Sequence, residues 1–290
     1  MSYIIIPLER TAHSVGSVPM CGSVPVDRRS PGALGRIEQQ RFERATVKKA
    51  AGDYYDKIAH LYDLMYNKDT GFDHLACVQW VHGWREQCGL AKTVLDLACG
   101  TGKHLACFQA LGYECRGVDA SAAMLAVAKS NLPGVPLEVG DFHNFTVPEK
   151  VPLITSFFNA LSYNTTAEEF RVTLRNVKHH LTANGLLVFD IVCSGPLPFF
   201  GVKSFHSGQY QFSRTVVSIP TPEGYKSTMY FVVFDGATSE ALAAETLRGM
   251  YSEAEVTTLL EVCGYRVLYC GNGYTRSPAT VFVAQPANQE

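Results

Sequence analysis

The chain has 290 residues, 47% of them hydrophobic, enough for one sizeable core with extensions. A net charge of −2 gives no electrostatic basis for a nucleic-acid partner, and no run of about 18 apolar residues is present to span a membrane. The nine cysteines form no C-x-x-C pair and no zinc-like cluster with histidine, so they read as free thiols in a reducing, cytoplasmic setting rather than as a disulfide framework.

The first 50 residues differ in character from the rest. Residues 14–35 are rich in Gly, Pro, Ser and Arg and have no period, which predicts a loose arm with one short strand at 3–6. The apolar start is too short, and lacks the preceding basic residues, for a secretory signal. Between 54 and 66, Tyr54, Tyr55, Ile58, Leu61, Tyr62, Met65 and Tyr66 recur at three- and four-residue steps, a helical pattern that Asp53 is placed to cap. A second helix is expected over 73–87, stopped by Gly89.

From residue 94 the pattern is strand, helix, strand, repeated. Strands are predicted at 94–97, 114–119, 137–140, 153–158 and 186–192. Helices fall at 103–111, at 122–131 behind a Ser121 cap, and at 167–181 with Asn184-Gly185 as the stop. Such alternation implies a parallel sheet covered by helices on both faces, with ligands beyond the carboxyl ends of the strands. Asp119, Asp141 and Asn159 all fall at those ends. Residues 196–250 break the rhythm. Two alternating segments, 209–219 and 226–234, flank a Pro/Gly turn and predict an antiparallel insertion over the open end of the sheet. A helix at 252–263 and edge strands at 266–270 and 280–284 complete the chain. The resulting division is an arm (1–50), N-terminal helices (51–92), a core (93–195), the insertion (196–250) and a final helix with edge strands (251–290).

The stretch Val94-Leu95-Asp96-Leu97-Ala98-Cys99-Gly100-Thr101-Gly102 reads as a buried strand entering a glycine turn at the start of a helix. Dinucleotides and S-adenosylmethionine both use such a turn. The dinucleotide fingerprint needs a third glycine, and here Leu105 takes its place, which weighs against a nicotinamide-type oxidoreductase. Asp96 can hold the turn through backbone hydrogen bonds or reach a ligand through water.

These residues resemble motif I of class I S-adenosylmethionine-dependent methyltransferases, and further motifs follow at family spacing. Asp119, followed by Ala120, resembles the acid that grips the ribose hydroxyls. Met124 resembles the residue flanking the adenine, and Asp141 with Phe142 the loop that meets its amino group. The resemblance implies an α/β fold: a doubly wound, seven-stranded, mostly parallel sheet with an N-terminal helical lid and an antiparallel β insertion after strand five. It implies S-adenosylmethionine as cofactor, held by Asp96, Ala98, Gly100, Gly102, Asp119, Ala120, Met124, Asp141, Phe142 and Phe157. Tyr54-Tyr55-Asp56 and Ala59-His60-Leu61-Tyr62-Asp63 are similar to the lid helix of small-molecule N-methyltransferases, which makes Tyr62, then Tyr54, the lid residues expected to reach cofactor or acceptor.

At the transfer centre the resemblance points to Asn159 after strand four, where the N-P-P-[FY] and D-P-P-[FY] signatures of base-amino methylation are absent. His143 and His206 are the candidate bases; His104 reads as packing. The insertion is similar to that of nucleotide-amino-sugar, glycine-type and natural-product N-methyltransferases, where it roofs the pocket and forms a dimer surface. Tyr163, Arg214, Tyr230, Arg248 and Tyr251 are its candidate acceptor contacts. The expected function is N-methylation of a small molecule by a homodimer, with no metal. C- or O-methylation of a natural product such as an indole, and non-catalytic cofactor binding, are the alternatives.

Overall fold

A computed structural model describes residues 44–67, 73–193, 199–222, 224–274 and 279–287. The predicted strand at 3–6 and the loose arm at 14–35 lie outside them. Helix α1 spans Arg44–Met65 and α2 spans His74–Gln87. The core follows as β1 (Thr93–Leu97), α3 (Lys103–Ala110), β2 (Glu114–Asp119), α4 (Ala122–Asn131), β3 (Leu137–Val139) and β4 (Val151–Ser156). After a 3-10 turn at Ala160–Tyr163 come α5 (Ala167–His180) and β5 (Leu181–Val192). The insertion contributes β6 (Phe199–Ser207), β7 (Tyr210–Thr221), β8 (Gly224–Phe234) and β9 (Ser239–Arg248). The chain closes with α6 (Glu253–Val262), β10 (Tyr265–Gly271) and β11 (Ala279–Pro286).

The large sheet has seven strands in the order β10-β11-β5-β4-β1-β2-β3. β1 pairs in parallel with both β2 and β4, and only β11 is reversed, antiparallel to its neighbours β5 and β10. This central position explains why Val94, Leu95 and Leu97 are all fully buried: a strand covered on both faces has no polar side. Two apolar cores result. Leu95, Leu97 and Ile154 pack with Phe170, Leu174 and Val177 of α5 on one face. Val94, Leu153 and Val188 pack with α2, α3 and α4 on the other.

The insertion forms a second, four-stranded antiparallel sheet, β6-β7-β8-β9. Its inner face meets α1 in a third core, in which Tyr54, Ile58 and Leu61 touch Met124, Phe212, Met229 and Phe231. Tyr54 stacks on Phe231 at 6.0 Å between ring centres. The lid helix is thus wedged between the second sheet and α4.

Several expectations change. Asp53 lies inside α1, which starts at Arg44, so it is not that helix's cap; Asp73 does cap α2, accepting from the Ala76 amide. The Asn184-Gly185 signal marks a bulge rather than a separate loop. Pairing jumps from Val151–Leu181 to Leu153–Leu186, and β5 begins directly after α5. The insertion has four strands, because β6 and β9 flank the expected hairpin.

Phe231 is 1% exposed and joins the lid to the second sheet. Phe231→Ala is expected to cost about 3–5 kcal/mol through lost burial and the cavity left behind, read as a lowered denaturation midpoint.

Candidate functional site

The parallel register sets Leu97 opposite Val118, so the turns after β1 and β2 emerge side by side. In the first turn Ala98, Gly100 and Gly102 have φ of 57°, 56° and 81°. A Cβ on Gly100 would meet nothing within 4 Å, so its backbone is bare toward open space. A Cβ on Gly102 would come within 2.5 Å of Leu132 Cδ1, so that glycine lets α3 close onto the end of α4. Leu105, where a dinucleotide site would carry glycine, is fully buried. It would lie 2.9 Å from a Cβ added to Gly117 in β2, so helix and strand are spaced by a leucine.

Asp119 ends β2 and ties the two turns together. Gly100 N–H donates to its Oδ2 and Ser121 N–H to its Oδ1, both at 2.8 Å. Burial raises its proton affinity, and the two amides pull it back down. Asp96 on β1 is 1% exposed and accepts from Thr155 Oγ1 at 2.7 Å. It acts as an internal brace between β1 and β4. Ala120 is exposed beside Asp119, whereas Met124, held by the Ser121 cap, is buried against α1.

The turn at the end of β4 is built differently. Phe158 and Asn159 both take φ of 58°, a left-handed pair without glycine. Asp190 of the neighbouring β5 holds it: Phe158 N–H donates to Oδ2 at 3.0 Å and Asn159 N–H to Oδ1 at 2.6 Å. Tyr274 OH adds a third bond at 2.9 Å. Asn159 Oδ1 accepts from Val192 N–H, and its Nδ2 donates to Tyr225 OH at 3.2 Å.

Between these turns lies a cleft of about 30 Å³ lined by Tyr62, His74, Ala98 to Thr101, Lys103, His104, Phe157 and Phe158. Its own side chains leave space for only one or two water-sized guests. His74 Nε2 lies 3.3 Å from the Tyr66 carbonyl and must carry its proton there. His74 Nδ1 therefore accepts from His104 Nε2 at 3.3 Å. Burial lowers the proton affinity of both rings, which keeps this neutral pair intact.

Above the cleft, α1 and the second sheet assemble a layer of tyrosines and arginines. Tyr55 accepts from Tyr163 OH at 3.1 Å, and Arg248 donates to Tyr163 OH at 3.0 Å with its guanidinium 4.5 Å from that ring's centre. Arg214 donates to Tyr66 OH at 3.4 Å. Among the described residues no carboxylate lies within ion-pair distance of Arg214 or Arg248. Among the described residues the buried Tyr54 hydroxyl has no hydrogen-bond partner.

The structure brings together most of the expected residues: Tyr62, Asp96, Ala98, Gly100, Gly102, Asp119 and Phe157 around the cleft, with Asn159, Tyr163, Arg214 and Arg248 around the roof. Others fall elsewhere. His206 and Tyr230 are exposed on the outer face of the second sheet, away from α1, because their positions alternate with Phe205 and Phe231. Tyr251 gives its hydroxyl to the Asn164 carbonyl at 2.6 Å and packs on Phe170, a structural role. His143 donates its amide to Asp141 Oδ1 at 2.9 Å, and its ring Nδ1 contacts the same oxygen. Both follow β3, three strands from β4, about 14 Å away at ordinary strand spacing. That separation removes His143 as a base at the β4 end. Asn176 Nδ2 donates to the Phe142 carbonyl at 3.1 Å. The residues that sequence reasoning missed are Tyr55, Tyr66, His74, Asp190 and Tyr225. Asp190 was legible as the one charged residue in the apolar run 186–192.

A sequence-family description, "Methyltransferase domain", matches residues 94–185. The chain is 29% identical over 243 residues to a dTDP-3-amino-3,4,6-trideoxy-alpha-D-glucopyranose N,N-dimethyltransferase of Streptomyces venezuelae, covering 79% of this chain and 98% of that protein. It is 26% identical over 237 residues to a dTDP-4-amino-2,3,4,6-tetradeoxy-D-glucose N,N-dimethyltransferase of Saccharopolyspora spinosa, covering 77% and 91%. The crystal structure of Streptomyces venezuelae DesVI superposes with a TM-score of 0.71 at 25% identity, covering 82% of this chain and 98% of that one. The matching domain and these relatives support an enzyme that is an S-adenosylmethionine-dependent methyltransferase, with S-adenosylmethionine as its cofactor.

Burial pushes the Asp96 carboxyl up to about 8, with Thr155 opposing the shift and the Asp119 charge adding to it. The native state then binds a proton that the unfolded chain, with a carboxyl near ~3.9, releases. Asp96 contributes stability that is full below about pH 4 and is lost as pH rises through about 8. Asp96→Asn should flatten this decline, so that the variant gains stability relative to wild type between pH 5 and pH 8 in melting experiments.

Proposed function

We propose that this methyltransferase acts on the amino nitrogen of a small, anion-bearing acceptor, a nucleotide-linked amino sugar, in natural-product biosynthesis. The observation that carries the proposal is the pair of arginines without carboxylate partners among the described residues, Arg214 and Arg248, bonded to the hydroxyls of Tyr66 and Tyr163. Guanidinium groups with unused donors suit a diphosphate, and phenol hydroxyls suit sugar oxygens. The relatives named above as amino-sugar N,N-dimethyltransferases support the same acceptor class.

The residues present fit the cofactor. The bare Gly100 backbone permits close approach, Asp119 offers carboxylate oxygens at the strand end, and Tyr62 lines the cleft beside the turn. When bound, S-adenosylmethionine supplies a methyl group on a positively charged sulfur, which an amine lone pair displaces in line. Asp119 and the Gly100–Gly102 turn hold the nucleoside end, with Ala98 and Phe157 beside it. Phe158, Asn159 and Tyr163 bound the space in which the nitrogen must lie. Alignment and exclusion of water supply the rate, because a neutral leaving group needs no acid. Tyr163, whose hydroxyl is held by Tyr55 and Arg248, is our candidate for orienting the amine; Tyr62 shields the cleft.

We also propose a cytoplasmic homodimer. Phe200, Val202, Ile219, Tyr230, Val232 and Phe234 are exposed on one face of the second sheet, a surface apolar enough to meet a second copy. Among the described residues no helix is long and apolar enough to cross a membrane.

Turnover with nucleotide-linked amino sugars, followed by mass spectrometry of the product, tests the acceptor; methylation at carbon or oxygen would reject it. Asp119→Ala should weaken cofactor binding by about 1–3 kcal/mol through lost hydrogen bonds, measured by calorimetry. Arg248→Gln should raise the KM for the anionic acceptor by roughly tenfold or more, while cofactor affinity stays within about twofold of wild type.

A further inference from the structure

The lid helix carries a repeat that the proposed reaction leaves unused. Tyr55-Asp56 and Tyr62-Asp63 are the same pair seven residues apart, so on α1 they share a face and are spaced by about 10 Å along the axis. The tyrosines cover the site: Tyr62 lines the cleft and Tyr55 bonds Tyr163. The acids grip the loops beneath. Asp63 Oδ1 accepts from Thr101 Oγ1 at 2.5 Å, and its Oδ2 accepts from Asn131 Nδ2 and pairs with Lys103 Nζ, both at 3.3 Å. Asp56 Oδ1 accepts from Ser121 Oγ at 2.5 Å and from the Ala123 amide at 3.4 Å, at the positive end of α4.

The two anchor points are the two turns that Asp119 joins. Thr101 lies between Gly100 and Gly102, and Ser121 donates its own amide to Asp119. The contacts form a closed circuit from lid to glycine turn, through Asp119, to the start of α4 and back to the lid. Tyr62 of α1 forms one wall of the cleft, and lifting α1 to open that wall breaks the bonds of Asp56 and Asp63.

We propose that Asp56 and Asp63 are positioning residues that latch the lid over the bound cofactor and set the rate at which S-adenosylhomocysteine leaves. The inference rests on the proposed placement of the cofactor along Gly100–Gly102 and Asp119. The acids act through Thr101, Lys103 and Ser121 and touch no reacting atom. Their partial exposure limits each contribution, and the seven-residue repeat makes the two act on one rigid helix.

The test is the dissociation rate of S-adenosylhomocysteine from the full chain by stopped flow, in Asp56→Ala, Asp63→Ala and the double variant. Each single change should raise the rate about fivefold, and the pair roughly 20-fold. The association rate should rise as well, because entry needs the same lift of α1. Thr101→Val should also raise the dissociation rate but add little to Asp63→Ala, because the Thr101 bond is already lost there. Dissociation at the wild-type rate in the double variant overturns the latch, as does full additivity of Thr101→Val with Asp63→Ala. If Asp56→Ala fails to fold, the Thr101→Val and Asp63→Ala pair alone decides. A failed cofactor placement would show separately, as unaltered affinity in Asp119→Ala.

Discussion

The carboxylate of Asp119 is the constraint on which the site depends. It accepts the amide of Gly100 from one turn and that of Ser121 from the next, at 2.8 Å each. Charge-assisted bonds of this kind contribute about 1.5–3 kcal/mol each, against a burial cost large enough to raise the group's proton affinity. The bonds are possible only because β1 and β2 run parallel with Leu97 beside Val118, which delivers both turns to the same edge of the sheet. The lid, the roof and the cleft are all referenced to that junction.

Asp190 performs the equivalent task one turn away. A left-handed residue without glycine costs about 1–2 kcal/mol, and Phe158 and Asn159 form two in succession. Their amides converge on the carboxylate of the neighbouring strand, which repays that strain locally. Both turns are therefore held by an acid reaching across from an adjacent strand, the first with the help of its own glycines and the second without any. Binding surfaces at the carboxyl ends of parallel strands need irregular backbone, and irregular backbone needs such external partners.

The arginine–tyrosine layer supplies the other half. Arg248 and Arg214 are held by hydroxyls and a ring face, contacts that orient a guanidinium without neutralising it. A charge left unpaired beneath a lid is poised for a ligand's anion, and the surrounding phenols, raised in proton affinity by burial, remain donors at neutral pH. On α1, Tyr55 meets the tyrosine–arginine layer while Asp56 and Asp63 hold the loops after β2 and β1.

Strand–helix alternation, the glycine turn, Leu105 in place of a third glycine, and the acid ending each early strand were legible without coordinates, because each depends on residues within one turn or one strand. The sequence by itself determined the parallel sheet, the cofactor class and the side of the sheet on which the site lies. Only the tertiary structure decided which face of the insertion looks inward. Residues 229–234, Met-Tyr-Phe-Val-Val-Phe, are apolar at every position, so alternation cannot separate the core face from the exposed one. Packing of Met229, Phe231 and Val233 against α1 made that choice and turned His206 and Tyr230 outward. The roles of Asp190, Asp56 and Asp63 were decided in the same way, since their partners lie 31 to 84 residues away and meet them only once sheet register and lid docking are set.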